Sequence, residues 1–126
     1  MTEAMAGKRI LVVEDEMIVA MLIEDILTDA GVAVVGPAAR VSRALELLEE
    51  ETALDGALLD LNLAGEITTP VAEALRSRGI PFAFATGYGA AGVPDTFAGQ
   101  PLLQKPFQEH DLHRVLAEVL GSRASA

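Results

Sequence analysis

Four apolar runs in this chain stop abruptly at a polar group. Ile10-Leu11-Val12-Val13 runs into Glu14-Asp15, Ala57-Leu58-Leu59 into Asp60, Phe82-Ala83-Phe84-Ala85 into Thr86, and Leu102-Leu103-Gln104 into Lys105-Pro106. The first three are continuous rather than alternating, which predicts strands covered on both faces. Between them the spacing of apolar residues changes to a helical period. A helix is expected from Glu16 to Ala30, with Val19, Leu22, Ile23, Ile26 and Ala30 on one face and Glu24, Asp25, Thr28 and Asp29 opposite; Met17 and Met21 fall on the polar side. Val32 to Val35 reads as a further short strand ended by Gly36-Pro37, and Val41, Ala44, Leu45 and Leu48 as the next helix. Ala64-Gly65-Glu66 reads as a loop. Thr69 then reads as the N-cap of a helix whose first residue is Pro70 and whose apolar face is Val71, Ala74 and Leu75. The last helix is expected from Gln108 to Leu120, with Leu112, Val115, Leu116 and Val119 in one stripe, stopped by Gly121 and followed by a disordered tail.

Regular alternation of strand and helix argues for an α/β fold built on a doubly wound parallel sheet, since each crossover needs a helix to cover a face. Parallel strands share their carboxyl ends, so Glu14, Asp15, Asp60, Thr86 and Lys105 are expected at one sheet edge. The stretch from Gly87 to Gly99 breaks the alternation. It holds Gly87, Gly89, Gly92, Gly99 and Pro94, and an interior glycine costs a helix about 1 kcal/mol relative to alanine. A mobile segment with only short helical turns is expected there.

Composition narrows the functional classes. At 126 residues the chain suits one domain, with a folded core from about 8 to 121. Nine basic against nineteen acidic residues give a net charge of −10, which opposes direct binding to nucleic acid or to anionic membranes. With no cysteine there is no disulfide framework, thiolate metal site or cysteine nucleophile. Neither a membrane span nor a signal peptide is apparent, so the chain reads as a cytoplasmic protein.

The gathered edge suggests chemistry. Two like charges about 4 Å apart repel by about 4 kcal/mol at an effective dielectric near 20, so Glu14, Asp15 and Asp60 call for a cation. Oxygen ligands without His or Cys favour Mg²⁺, with Mn²⁺ as an alternative, over Zn²⁺. A lysine and a hydroxyl beside such an ion point to a phosphoryl group as the remaining partner, and a carboxylate can attack phosphorus to give an acyl phosphate. Asp60, alone at its strand end, is the candidate nucleophile; taken singly it also fits a turn or cap residue. His110 and His113 lie off the apolar stripe and match no metal-ligand spacing, which predicts a solvated surface for both.

Val12-Val13-Glu14-Asp15, Leu58-Leu59-Asp60, Ala85-Thr86-Gly87 and Lys105-Pro106-Phe107, in this order, resemble the four motifs of the receiver domain of bacterial two-component response regulators. The resemblance implies a flavodoxin-like five-stranded sheet of order 2-1-3-4-5. It implies that Asp60 accepts a phosphoryl group from a sensor histidine kinase or a histidine phosphotransfer protein, that Asp15, Asp60 and the backbone carbonyl of Asn62 bind Mg²⁺, and that Glu14 acts through a metal-bound water. Thr86 and Lys105 would contact phosphoryl oxygens, and the Lys105-Pro106 peptide would be cis. Two positions depart from the common pattern: Leu63-Ala64 stands where many members carry Met-Pro, and Leu102 where many carry the aromatic switch residue.

Pro81-Phe82-Ala83-Phe84-Ala85-Thr86-Gly87-Tyr88-Gly89 resembles instead the FATGUY subgroup of stand-alone receivers, often paired with HWE-type kinases. In that light Tyr88 and the glycine-rich segment are expected to supply the switch, and Met17 and Met21 to dock a histidine-bearing partner. The expected protein is a single-domain regulator without an output module, monomeric or weakly dimeric, serving as a switch, a relay or a phosphate sink. The alternatives are a small Mg²⁺-dependent phosphatase with an aspartyl nucleophile and a degenerate receiver that acts by protein binding only. The phosphatase lacks its usual second acid, because the residue two beyond Asp60 is the amide Asn62.

Overall fold

The computed structural model describes residues 5–51, 53–63, 65–87 and 89–125, the side chains of residues 90 and 122–125 excepted. Strand β1 (Arg9–Val13) is followed by helix α1 (Met17–Asp29), β2 (Ala33–Ala38), α2 (Val41–Glu50) and β3 (Gly56–Asp60). A small hairpin, β4 (Asn62–Leu63) with β5 (Glu66–Ile67), leads into α3 (Thr69–Ser77). Then come β6 (Phe82–Thr86), two 3₁₀ turns (Gly89–Gly92 and Asp95–Phe97), β7 (Leu102–Gln104) and α4 (Glu109–Ser125). The five-stranded sheet has the order β2-β1-β3-β6-β7 and all four of its pairings are parallel. Counting main-sheet strands alone, this is the expected flavodoxin-like order 2-1-3-4-5.

The continuous apolar runs divide by parity between two cores, because successive side chains on a strand point to opposite faces. Leu11, Val13, Leu59, Phe82 and Phe84 pack under α2 and α3. Ile10, Val12, Leu58, Ala83, Ala85 and Leu103 pack under α1 and α4, where Ile23, Leu27, Leu112, Leu116 and Val119 close the layer.

Several boundaries differ from the sequence expectation. Strand β2 continues through Gly36-Pro37 to Ala38, with an irregularity opposite Leu11 to Val13. Gly36 makes this passage possible: its φ is +99°, and a Cβ there would lie 2.8 Å from the Val12 carbonyl oxygen. Helix α3 begins at Thr69 with Thr68 as N-cap, since the Thr68 carbonyl accepts from the amides of Val71 (3.0 Å) and Ala72 (3.1 Å). Helix α4 passes through Gly121 to Ser125, because that glycine is not among those with the left-handed backbone that ends a helix. The buried stripe of α1 is Ala20, Ile23, Ile26 and Leu27, which leaves Leu22 facing outward.

The segment after β6 holds no α-helix among its described residues, as its glycines predict, yet it is anchored. Phe97 is buried and meets Phe82 and Phe84 edge-on, with ring centroids 5.9 and 5.8 Å away. The Arg76 guanidinium lies 4.1 Å from the Phe97 ring centroid and donates to the Thr96 carbonyl at 2.6 Å.

Candidate functional site

The carboxyl ends of β1, β3, β6 and β7 deliver their polar groups to one edge. Pairing of Val13 with Leu59, Asp60 with Ala85, and Thr86 with Gln104 brings each motif to the same level. Lys105 is held by its own backbone, whose amide donates to the Thr86 carbonyl at 2.8 Å, and the following Lys105-Pro106 peptide is cis. Its ammonium reaches inward to Glu14 Oε1 at 2.8 Å and Asp60 Oδ2 at 3.1 Å, with Glu16 Oε1 3.7 Å away. Asp60 Oδ1 accepts from the Asn62 amide at 3.2 Å, and Glu14 Oε2 from the Glu16 amide at 3.1 Å.

Carboxylate oxygens of Glu14, Asp15 and Asp60 lie within 4.8 Å of one another. Glu14 and Asp60 are buried and Asp15 half-buried. Burial pushes the Glu14 carboxyl above its usual range, and the nearby Asp60 charge adds to this; the Lys105 and Glu16 hydrogen bonds oppose it without cancelling it. Lys105 shows the converse balance. Burial pulls its pKa down, but the bonds to Glu14 and Asp60 and their charges outweigh burial, so the ammonium is held above its ordinary value. One ammonium against three carboxylates leaves the cluster short of positive charge. Its oxygen-only donor set fits a hard divalent cation, for which Asp15, Asp60 and Glu14 are the protein groups at hand.

Above the carboxylates opens a cavity of about 820 Å³ whose floor includes Asp15, Asp60, Thr86 and Lys105. Its walls are apolar: Val19 and Leu22 from α1, Leu61 and Ile67 from the β3–α3 connection, and Pro106 and Phe107 beyond β7. Thr86 is buried at this floor, and Asn62 is exposed beside it with its side-chain oxygen accepting from the Gly65 amide at 2.9 Å. Next to the cavity α1 presents Met17 (75% exposed), Ile18 (84%), Met21 (57%) and Leu22 (45%), and Ile67 (56%) stands on the hairpin.

The structure thus brings Glu14, Asp15, Asp60, Asn62, Thr86 and Lys105 together, and places Met17 and Met21 on the exposed face of α1. Tyr88 lies outside the described residues. Of the two histidines, His110 is exposed as expected, but His113 is half-buried. Its Nε2 makes no hydrogen bond among the described residues and sits 3.9 Å from Glu109, because the helix turns that side chain toward the packed face. Two features escaped the sequence reading. Thr68 is wholly buried against the turn after Asp60, and consecutive threonines at 68 and 69 gave no sign of which would be buried. Ile18 and Ile67 extend the apolar surface, a placement that depends on tertiary position rather than helical period.

No helix among the described residues is long and apolar enough to cross a membrane. The model of the response regulator receiver domain matches residues 10–117. Among solved structures, the chain is similar to SdrG from Sphingomonas melonis Fr1, with 45% identity and a TM-score of 0.80 over 90% of this chain and 96% of that one. It is similar to the BeF3-activated conformation of SdrG from Pseudomonas melonis Fr1, with 44% identity and a TM-score of 0.78 over 91% and 98% of the two chains. It also resembles the response regulator PhyR from Brucella abortus, at 27% identity and a TM-score of 0.82, covering 98% of this chain and 52% of that one. No curated protein matches the chain. Receiver domains are signalling switches rather than enzymes. Because the family match spans the four strand ends that meet at the acidic edge, and the sheet has the order that brings them there, the chain belongs to the response regulator receiver domain family.

Proposed function

We propose that Asp60 is the phosphoacceptor of a Mg²⁺-dependent switch, receiving its phosphoryl group from a phosphohistidine on a kinase or phosphotransfer protein. The observation that carries this reading is the Lys105 ammonium 3.1 Å from Asp60 Oδ2 at the floor of an open cavity, with two further carboxylates alongside. An Asp60 carboxylate oxygen forms the new P–O bond as the P–N bond to the donor imidazole breaks; the imidazole nitrogen leaves with the electron pair and is protonated. A Mg²⁺ ion held at the carboxylates would supply charge neutralisation at the phosphoryl oxygens. Lys105 exchanges part of its contact with Asp60 and Glu14 for a phosphoryl oxygen, and the Thr86 hydroxyl donates to another. Asp15, Asp60 and the Asn62 carbonyl would hold the cation, and Glu14 beside them would act through water. The BeF3-activated form of the similar SdrG supports this reading, since beryllofluoride imitates a phosphoryl group.

The donor docks on the apolar surface of α1 that includes Met17 and Met21. Membership of the receiver domain family supports a phosphodonor partner such as a kinase, and the FATGUY-like sequence favours one of HWE type. Use as a switch, a relay or a phosphate sink is consistent with the same chemistry.

Intact-mass measurement after incubation with acetyl phosphate tests the reading. One added phosphoryl group is expected in the native chain, only with Mg²⁺, and none in Asp60→Asn. No adduct, or an equal adduct in Asp60→Asn, overturns it. Lysine at both Met17 and Met21 is expected to slow transfer from a phosphohistidine donor roughly fivefold or more, while the acetyl phosphate reaction, which needs no docking, keeps its rate.

A further inference from the structure

Among the described residues four polar or charged side chains are buried: Glu14, Asp60, Thr68 and Thr86. Three of them belong to the sheet-edge cluster. Thr68 belongs to none of the sequence motifs and sits at the N-cap of α3. A threonine there ordinarily turns its hydroxyl oxygen onto the free amides of the first helical turn. Thr68 makes no such bond, and the second helical residue, Pro70, has no amide hydrogen to offer.

The hydroxyl points the other way. Thr68 Oγ1 lies 2.8 Å from the Asp60 carbonyl oxygen and 3.1 Å from that of Leu61, so its single proton is shared between two acceptors eight and seven residues earlier. The Thr68 amide also donates to the Leu61 carbonyl, at 3.1 Å. That carbonyl and the Asn62 amide belong to one planar peptide group. Fixing the Leu61 oxygen therefore fixes the direction of the Asn62 N–H, which donates to Asp60 Oδ1 at 3.2 Å.

We propose that Thr68 is a positioning residue for phosphoryl acceptance: its hydroxyl locks the Asp60–Asn62 turn so that the Asn62 amide holds the Asp60 carboxylate in its attacking orientation. The role rests on Asp60 being the acceptor. The clamp on this turn comes from the start of α3, seven and eight residues further along the chain. The same turn carries the Asn62 carbonyl and, through Leu61 and the hairpin, the apolar wall of the cavity.

The test compares Thr68→Val, which keeps the shape and removes the hydroxyl, with Thr68→Ser, which keeps the hydroxyl and removes the methyl. The readouts are the initial rate of Asp60 phosphorylation by acetyl phosphate at saturating Mg²⁺, the Mg²⁺ Kd, and the Tm. Loss of a group that orients a functional residue from behind typically lowers activity or metal affinity about tenfold or more, and that loss is expected for Thr68→Val. Thr68→Ser is expected to keep the native rate even where its Tm falls. Native rate and Kd in Thr68→Val, measured well below its Tm, overturn the proposal, as does a Thr68→Ser variant as slow as Thr68→Val. If Thr68→Val does not fold, Thr68→Cys replaces the hydroxyl by a weak S–H donor; a rate below that of Thr68→Ser supports the clamp, and an equal rate overturns it. A native chain that takes no phosphoryl group overturns the acceptor assignment itself, a result read before any Thr68 variant is made.

Discussion

The connections that leave β3 and β6 start side by side at the same sheet edge, one just after Asp60 and the other just after Thr86, and they are secured by opposite means. The first is held by backbone-directed hydrogen bonds: Thr68 to the carbonyls of Asp60 and Leu61, Asn62 to the Asp60 carboxylate, and the short β4–β5 pairing. The second is secured toward its far end by side-chain packing, with Phe97 set among Phe82 and Phe84 and Arg76 laid over it. Hydrogen bonds to the main chain fix orientation tightly, whereas a packed aromatic fixes position and leaves the stretch before it with only short 3₁₀ turns among its described residues. Asp60 is therefore placed beside the hydrogen-bonded connection and the Thr86 hydroxyl beside the packed one. At one point the two touch: a Cβ on Gly92 would lie 3.1 Å from Leu61 Cδ2, so the 3₁₀ turn rests on the residue beside Asp60.

The largest expected effect comes from removing the anchor of the packed side. Phe97→Ala is expected to destabilise the fold by about 3–5 kcal/mol, read as a drop in denaturation midpoint. Amide exchange should rise first across residues 87–99, while the Asp60 turn keeps its protection. Equal loss of protection in both connections would break the contrast between them.

A second effect probes the cluster on the hydrogen-bonded side. Glu14 holds its proton above the ordinary carboxylate value of 4.5. In the metal-free protein the folded state therefore binds more protons than the unfolded state between that value and the raised one, so stability falls as pH rises through the window. A Mg²⁺ ion held at the charged cluster would compete with this proton, so its affinity is expected to weaken by up to about tenfold per pH unit below the raised value. Isothermal titration across this range is expected to show the weakening setting in at lower pH in Glu14→Gln than in the native chain. Superimposable pH profiles would remove Glu14 from the cation site.

The smallest effect sharpens the comparison. Arg76→Gln loses the guanidinium over Phe97 and is expected to cost about 0.5–1 kcal/mol. Chemical shifts should change around Thr96 and Phe97 and stay fixed at Asp60, Asn62 and Thr68. Shifts at the Asp60 turn would mean that the two connections are coupled more tightly than their separate anchors imply.

Much of this arrangement was legible in the sequence because parallel strands leave little freedom. Once the runs ending at Glu14-Asp15, Asp60, Thr86 and Lys105 are read as strands of one doubly wound sheet, their polar ends have nowhere else to gather. Local choices between near-equivalent residues were harder to read. Thr68 and Thr69 both make acceptable caps, and only the burial of the first against the Asp60 carbonyl separates them. Helix α1 carries apolar residues around much of its circumference, so periodicity did not show that Leu22 and Ile18 face outward while Ala20 and Leu27 face the core. Glycine is ambiguous in the same way: Gly36 lets a strand continue and Gly121 lies within a helix, although each reads as a stop. Phe97 as an anchor was hidden because its partners, Phe82 and Phe84, lie on another element.

The most direct test of the account is chemical identification of the phosphorylated residue. Borohydride reduces an aspartyl phosphate to homoserine, so the chain treated with acetyl phosphate and Mg²⁺, reduced and digested, can be read by peptide mass spectrometry. Homoserine at position 60 and at no other aspartate is the predicted result. Homoserine at Asp15 or elsewhere, or a phosphorylated chain with Asp60 unreduced, would contradict the assignment of Asp60 as acceptor.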